Sequence, residues 1–535
     1  MKKLVIKNKL KSESSVGSVP SIGVFLLLCV YPFAFSRGYK DITYTRFMFF
    51  CLVSIVVFEI CAIRLLSKTS SVEAVVRKWF STSTATDKAF LCFFVSALAA
   101  FVFSEYKYAA VLGDLGRYMG FLIFFAIFLM YLWVSRFYIL TERDMRFFCI
   151  VCIGIAVFSF LQFEGVDLFG LIKSMPFEKR RNFLSPFGNI NVFASFLSIA
   201  SPFAMYMFCF NGKSEKSKLF YGAVCAANFV SALTSNSDSV YIMLAAVFVA
   251  LFILCCKNPE AFVRFFLLCV VFFGASIFFT VIFYMVKSTR GLSALTSFYV
   301  NSILPFVGIG ISFVEYTVLS KNTPTANTLN KVRKIAIALV VIVIFATLGS
   351  IIYFSAFNTT ANLGMFTRYF RFNDSWGTER GYVWTRIMRT FADGSLKEKL
   401  FGFGEDTLAA VLVERYLPEM RSQLGYLFDN AHNEYLHYLI TMGLFGLGSY
   451  LAILFSTVLS HKKRKLNILQ KALILSVFGY MVQSGVNIIQ PISTPFVFIA
   501  VALISCRCED KNSTIVNTKT TFDYLGKEVE KHEIV

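Results

Sequence analysis

Charge is scarce in this chain. Only 16% of its 535 residues are Asp, Glu, Lys or Arg, against 57% hydrophobic and 17% aromatic. Such a balance, with a mean hydropathy of +0.66, excludes an ordinary soluble globular domain. Acidic residues are the scarcer sign, 32 against 52 Lys and Arg, and histidine occurs four times. No Asp-x-Asp pair stands in an outward polar loop and no cluster of His, Asp and Cys has metal-ligand spacing, so neither a metal nor a cofactor is expected. The thirteen cysteines lie in apolar runs or near the C-terminal end, at Cys506 and Cys508, which implies no disulfide framework. Cys149 and Cys152 have the spacing of a redox pair but lie in an apolar helix without His or carboxylate partners, and read as packing. A small-residue cleavage site after a short apolar core is also lacking, so the first apolar run reads as an uncleaved anchor.

What is present is apolar sequence in runs of about 16–25 residues, the length that crosses a hydrocarbon core as helix. Fourteen are read, near 20–36, 46–65, 89–104, 118–135, 147–163, 190–210, 219–233, 239–256, 265–286, 297–319, 335–356, 434–459, 470–489 and 493–507. The N-terminus carries Lys2, Lys3, Lys7, Lys9 and Lys11. Basic clusters then recur at every second loop: Arg77/Lys78/Lys88, Arg136/Arg143/Arg146, Lys213/Lys216/Lys218, Lys331/Arg333/Lys334 and Lys462/Lys463/Arg464/Lys465. The positive-inside rule makes those loops, and both termini, cytoplasmic. Much of the net charge of +20 is then orientation signal, and nucleic acid is discounted as a partner. The expected organisation is a cytoplasmic N-terminus 1–19, a transmembrane bundle 20–356 with an outward basic loop 164–189, a large outward loop 357–433, C-terminal membrane helices 434–508 and a cytoplasmic tail 509–535.

Three outward segments hold the polar chemistry. The loop 164–189 ends with Glu178-Lys179-Arg180-Arg181 and runs to Asn189 and Asn191 at the next span. Its basic residues run against the charge trend, which suits an anionic substrate or, as the plainer reading, lipid phosphates. Asn189 and Asn191 lead into a span bearing Ser195, Ser198 and Ser201, polar groups that serve function or interhelical hydrogen bonds. In the large loop, Thr378 reads as the N-cap of an amphipathic helix 379–391 carrying Arg380, Trp384, Arg386 and Arg389. Gly402-Phe403-Gly404 follows, then a second helix 405–417 stopped by Pro418. Arginine suits a diphosphate because its planar fork donates two hydrogen bonds and keeps its charge.

The third segment starts at His432, where the polar loop meets the membrane. On a continuous helix Gly443 falls about 20° round from His432 and roughly 16 Å deeper, with Gly446 about 40° to the other side. Both glycines then let a neighbour approach under the histidine. His437 points about 140° away on the same count and reads as structural. Histidine, with an ordinary pKa of about 6.5, is the default general base at neutral pH. A hydrogen-bonded interface histidine is the plainer alternative.

At this point the residues resemble a family. His432-Asn433, nine residues, Gly443-Leu444-Phe445-Gly446, after a large loop, is similar to the signature of the O-antigen ligase and polymerase superfamily of bacterial membrane glycosyltransferases. Arg180-x-x-x-Leu184 leading to Gly188-Asn189-Ile190-Asn191, and Arg380-x-x-x-Trp384 followed by Gly402-Phe403-Gly404, resemble its other motifs. Together they cover roughly residues 175–450. The chain departs from the pattern at Ile190, where relatives have Pro, at Ser235-Asn236-Ser237-Asp238-Ser239, where they have Ser-Arg, and in fourteen runs rather than a dozen.

The resemblance implies an all-α, GT-C-like polytopic bundle of about 12–14 spans with one large helical periplasmic loop, in the bacterial inner membrane. It implies metal-independent, inverting transfer of a glycan from undecaprenyl diphosphate to an acceptor hydroxyl, the lipid A–core being favoured. Protein side chains or a growing glycan are the alternatives, and a lipid-linked glycan transporter is the rival from another class. His432 is then the base, and Arg180 or Arg181 with Arg380, and Arg386 as a further candidate, hold the diphosphate. Asn433 or Asp429 orients the imidazole, with Asn189, Asn191, Gly443 and Gly446 in support.

Overall fold

A computed structural model describes residues 18–67, 71–211, 214–286, 288, 290–459 and 465–508. The N-terminal lysines, Lys213, His461, the Lys462, Lys463 and Arg464 cluster, His532 and the tail 509–535 lie outside the described residues. The protein is an all-α polytopic membrane protein; its strands, among the described residues, are two-residue pieces in two minimal ladders. By length and composition eight helices among the described residues can cross a membrane: Ile42–Leu66, Ala85–Phe103, Glu142–Phe163, Ile190–Phe210, Asp238–Cys255, Pro259–Val286, Ala326–Phe357 and Glu434–Leu459. A ninth is the pair Ala294–Val300 and Leu304–Lys321, bent by 59°. Ser18–Phe33, Phe121–Phe137, Ile468–Ser484 and Pro495–Ser505 are apolar but shorter. Glu215–Ser235 is long enough, but Asn228, Ser231, Thr234 and Ser235 dilute its apolar content. Each of the fourteen predicted runs thus falls on a helix or a bent helix pair, five of them short of the length or hydropathy of a full crossing.

Burial sorts these helices into centre and rim. The apolar window of Ile190–Phe210 is wholly buried, whereas that of Ala326–Phe357 is not buried at all. Ile468–Ser484 lies tightly along the central helix. A Cβ on Gly479 would stand 2.8 Å from the Ser198 carbonyl oxygen, and the Ser476 hydroxyl donates to the Ile199 carbonyl at 2.7 Å. Serine and glycine here permit backbone approach, the usual basis of helix association where lipid removes the hydrophobic drive. Cys149 and Cys152 are buried free thiols.

Loops that the alternation of spans assigns to one side meet one another. Arg46 donates to the Pro186 carbonyl at 2.8 Å, Tyr39 to that of Ser185 at 2.7 Å, Asn236 to that of Gly291 at 3.0 Å and Arg117 to that of Ile489 at 2.8 Å. At the opposite end Asp87 pairs with Arg136 at 3.0 Å, and Ile139–Leu140 lies beside Arg507–Cys508.

The large loop folds as a subdomain on the first of these ends. Tyr382, Val383, Ile387, Leu412 and Met420 belong to its own small core. Two local expectations are corrected. Gly377, Thr378 and Glu379 are left-handed, with φ of 59°, 63° and 65°, so the regular helix begins at Arg380 and Thr378 does not cap it. Pro418 lies inside the helix Leu408–Gln423 rather than ending it; the buried Met420 continues the packed face beyond the proline, and tertiary burial outweighs the lost backbone bond.

Candidate active site

The site is built around the turn that ends the subdomain. The Asn430 side-chain oxygen accepts from the His432 amide at 2.9 Å, and His432 takes a left-handed φ of 48°. Asn433 then caps the helix Glu434–Leu459, its side-chain oxygen accepting from the Leu436 amide at 3.1 Å. The Asn433 oxygen is thereby committed to the backbone; an Asn at a helix start does this because its short oxygen reaches the unpaired amides.

Trp384 fixes what faces the histidine. Its indole N–H donates to the Ala431 carbonyl at 2.8 Å. Arg380, four residues earlier, shares that helix face, and the Arg-x-x-x-Trp spacing so brings a guanidinium to the His432 turn. Among the described residues neither an ion pair nor a hydrogen bond holds the Arg380 head group. Burial lowers its pKa from the ordinary arginine value, with Asp238 acting the other way.

His432 is half-buried, its ring meeting Phe428 edge-on at 6.3 Å. Burial first, then the positive charge of Arg380 and, more weakly, of Arg117, depress its pKa to about 4; Asp429 opposes them. The imidazole is therefore neutral at pH 7, with a free nitrogen lone pair. Asp429 remains the carboxylate that faces it, held at 3.5 Å by Arg117. Sequence reasoning missed Arg117. It is buried, 5% exposed, and also pairs with Asp406 at 3.2 Å. A charged pair, Asp114 and Arg117, set among Gly113 and Gly116 just ahead of an apolar run was the available signal.

The glycine motifs interlock. The helix after His432 is not continuous: Gly443 has φ 67° and ψ −166° and breaks it. The rotation of Gly443 and Gly446 beneath His432, counted on an unbroken helix, is corrected accordingly. A Cβ on Gly443 would lie 2.4 Å from the Leu400 carbonyl, and one on Gly402 2.3 Å from that of Thr441. The break frees carbonyls in the turn before it. Those of Ile440 and Thr441 accept from the Phe403 and Gly404 amides at 3.1 and 2.9 Å. Gly446 is crowded by Met442 of its own turn, a Cβ there standing 2.2 Å from the methionine Cβ.

Beneath lies a polar floor. Asn189 caps Ile190–Phe210. Asn191 accepts from the Ser237 hydroxyl at 2.7 Å, and its carbonyl accepts from the Asn487 side chain at 2.8 Å. Ser293 donates to Asp238 at 3.0 Å, and Asp238 in turn faces Arg380.

The other predicted arginines are placed differently. Arg386 is buried between Asp374, at 2.6 Å, and Glu419, over the ring of Tyr382. Its charge is spent inside the subdomain, so it is not free for an anion, which corrects the expectation that it binds one. Arg180 donates to the Met175 carbonyl of its own loop at 3.0 Å, while Arg181 is exposed. Arg290, also missed in the sequence, donates to the Arg180 carbonyl at 3.1 Å and to that of Phe183. Its loop is stapled to Asn236, which accepts from the Ser293 amide at 2.6 Å. Among the described residues no group of three or more His, Cys, Asp or Glu gathers.

A contrast follows. Arg386→Ala, by removing a buried guanidinium from two carboxylates that are themselves partly exposed, is expected to destabilise the subdomain by about 1–2 kcal/mol. Arg380→Ala, removing a guanidinium without a partner, is expected to leave the melting temperature within about 2 °C. Thermal unfolding of both variants in nanodiscs checks this.

Neither a curated protein nor a solved structure matches the chain. Residues 291–451, which include the subdomain, the His432 turn and the helix broken at Gly443, match a family model described as O-antigen ligase. That match supports, over this segment, the resemblance to the O-antigen ligase superfamily.

Proposed function

We propose that this ligase- and polymerase-family glycosyltransferase moves a glycan from undecaprenyl diphosphate to an acceptor hydroxyl on the periplasmic face of the inner membrane, with lipid A–core the favoured acceptor. The observation that carries the reading is a neutral histidine facing an arginine, neither side chain holding a hydrogen-bond or ion-pair partner among the described residues, at the end of the bundle where the polar loops meet. His432 takes the proton of the acceptor hydroxyl as its oxygen attacks the anomeric carbon, opposite the diphosphate. The bond from that carbon to the diphosphate breaks, and the configuration inverts. Arg380 holds the leaving diphosphate, where charge develops and a fixed donor acts most strongly. Arg290 and Arg181 extend the positive surface; Arg290, beside Asn236, offers the charge that Asp238 denies to the Ser235–Ser239 loop. Asp429, held by Arg117, orients the imidazole.

The charges assigned to the site lie in the loops at one end of the bundle, whereas a transporter of the same substrate would line a central path with them. The acceptor is tested by deleting the gene and restoring it, reading lipopolysaccharide by gel and glycoproteins by blot. Loss of long-chain lipopolysaccharide, with core intact and lipid-linked polymer accumulating, is the expected result. A normal ladder with vanished glycoproteins would transfer the assignment to a protein acceptor.

A further inference from the structure

The neutral imidazole of His432 and the positive guanidinium of Arg380 face each other in a partly buried site. Trp384 holds this arrangement, since its bond to the Ala431 carbonyl ties the Arg380 helix to the histidine turn. The remaining charges around the imidazole come from two further loops. Asp429 precedes it in its own segment, and Arg117 stands behind, already shared between Asp406 and Asp429. Asp238, from the floor, faces Arg380 rather than the histidine. Burial first, and then Arg380 and Arg117 against the single carboxylate of Asp429, oppose protonation of the ring. A base in that setting resists the proton it has to accept.

Resting on the donor reading above, we propose that the donor's diphosphate switches on the base: seated on Arg380, it cancels the positive charge facing His432, so that the imidazole accepts a proton readily only in the donor-loaded site. The donor's diphosphate, an ester at both ends, brings about two negative charges against the single positive charge of Arg380. The proton balance closes. His432 gains the acceptor's proton as the new glycosidic bond forms, and the bond to diphosphate breaks. The resulting imidazolium lies beside the released diphosphate, which stabilises it. Departure of undecaprenyl diphosphate restores the unfavourable field and returns the proton to solvent. Catalysis is thereby ordered, donor before acceptor activation, without a moving lid.

The test is the titration of His432 by NMR on protein labelled with 15N-histidine in nanodiscs. Four histidines give few signals, and His432→Ala assigns the relevant one. In the free protein the midpoint is expected well below the ordinary value. Saturation with undecaprenyl diphosphate is expected to raise it by at least one pH unit, a tenfold change in proton affinity, whereas uncharged undecaprenol leaves it in place. Arg380→Gln is expected to raise the midpoint without any lipid and to blunt the response to it. A midpoint unmoved by bound undecaprenyl diphosphate overturns the switch alone. Failure of undecaprenyl diphosphate to bind overturns both the switch and the donor reading.

Discussion

His432→Ala is expected to cut glycan transfer by about 10²–10⁴-fold, the contribution of a positioned general base, while the protein stays folded in the membrane. Among the described residues the imidazole makes no hydrogen bond that its loss would strand, and its ring contact to Phe428 is edge-on at 6.3 Å, so the cost to stability is small. A complication is the backbone. At φ 48° any residue with a Cβ is strained by about 1 kcal/mol, Asn least of all. His432→Asn therefore keeps the turn and removes only the basic nitrogen. Loss of transfer in both variants, measured with purified protein and a defined donor, supports the base. Transfer retained by His432→Asn and lost in His432→Ala would mean that the position matters for the turn alone.

Gly443→Ala should be the most damaging substitution to the fold. Its φ of 67° is left-handed, which costs a substituted residue about 1–2 kcal/mol. The added Cβ would press on the backbone of Leu400 and Phe401, at 2.4–2.5 Å, rather than on a flexible side chain. Overpacking of that kind adds about 1–3 kcal/mol. Together a loss of about 3–5 kcal/mol is expected, with the pairing of Gly402-Phe403-Gly404 to Ile440 and Thr441 undone. Gly448 is the control, since it lies in the same helix with open space where a Cβ would go. Gly448→Ala should be neutral or stabilising by up to about 1 kcal/mol. Equal unfolding temperatures for the two variants would refute the interlock.

Much of the architecture was legible because it is local. An apolar run of membrane length declares a helix whatever surrounds it, so the fourteen runs land on helices, and the alternation of basic loops anticipates which loops meet. The motif register was legible too. His432, Arg380 and Trp384 stand at spacings that name them, and the structure brings them to one turn. The errors also have local causes. Treating residues 434–459 as one continuous helix ignored a glycine that breaks it. Treating Pro418 as a stop ignored the packing that carries the helix past it.

Sequence by itself determined that this is an all-α membrane protein, which superfamily it resembles, and that one histidine stands where a polar loop meets a span. Only the tertiary structure decided which arginines are free. Arg386 and Arg380 lie on one helix six residues apart, yet the first is neutralised by Asp374 and Glu419 and the second is not. Arg117, missed altogether, reaches Asp406 and Asp429 from about three hundred residues away in sequence. Helix formation sums over neighbours along the chain and can be read there. Charge pairing depends on which distant loops the fold brings within a few ångströms, where Coulomb energy falls off and water is excluded, and no local pattern encodes that.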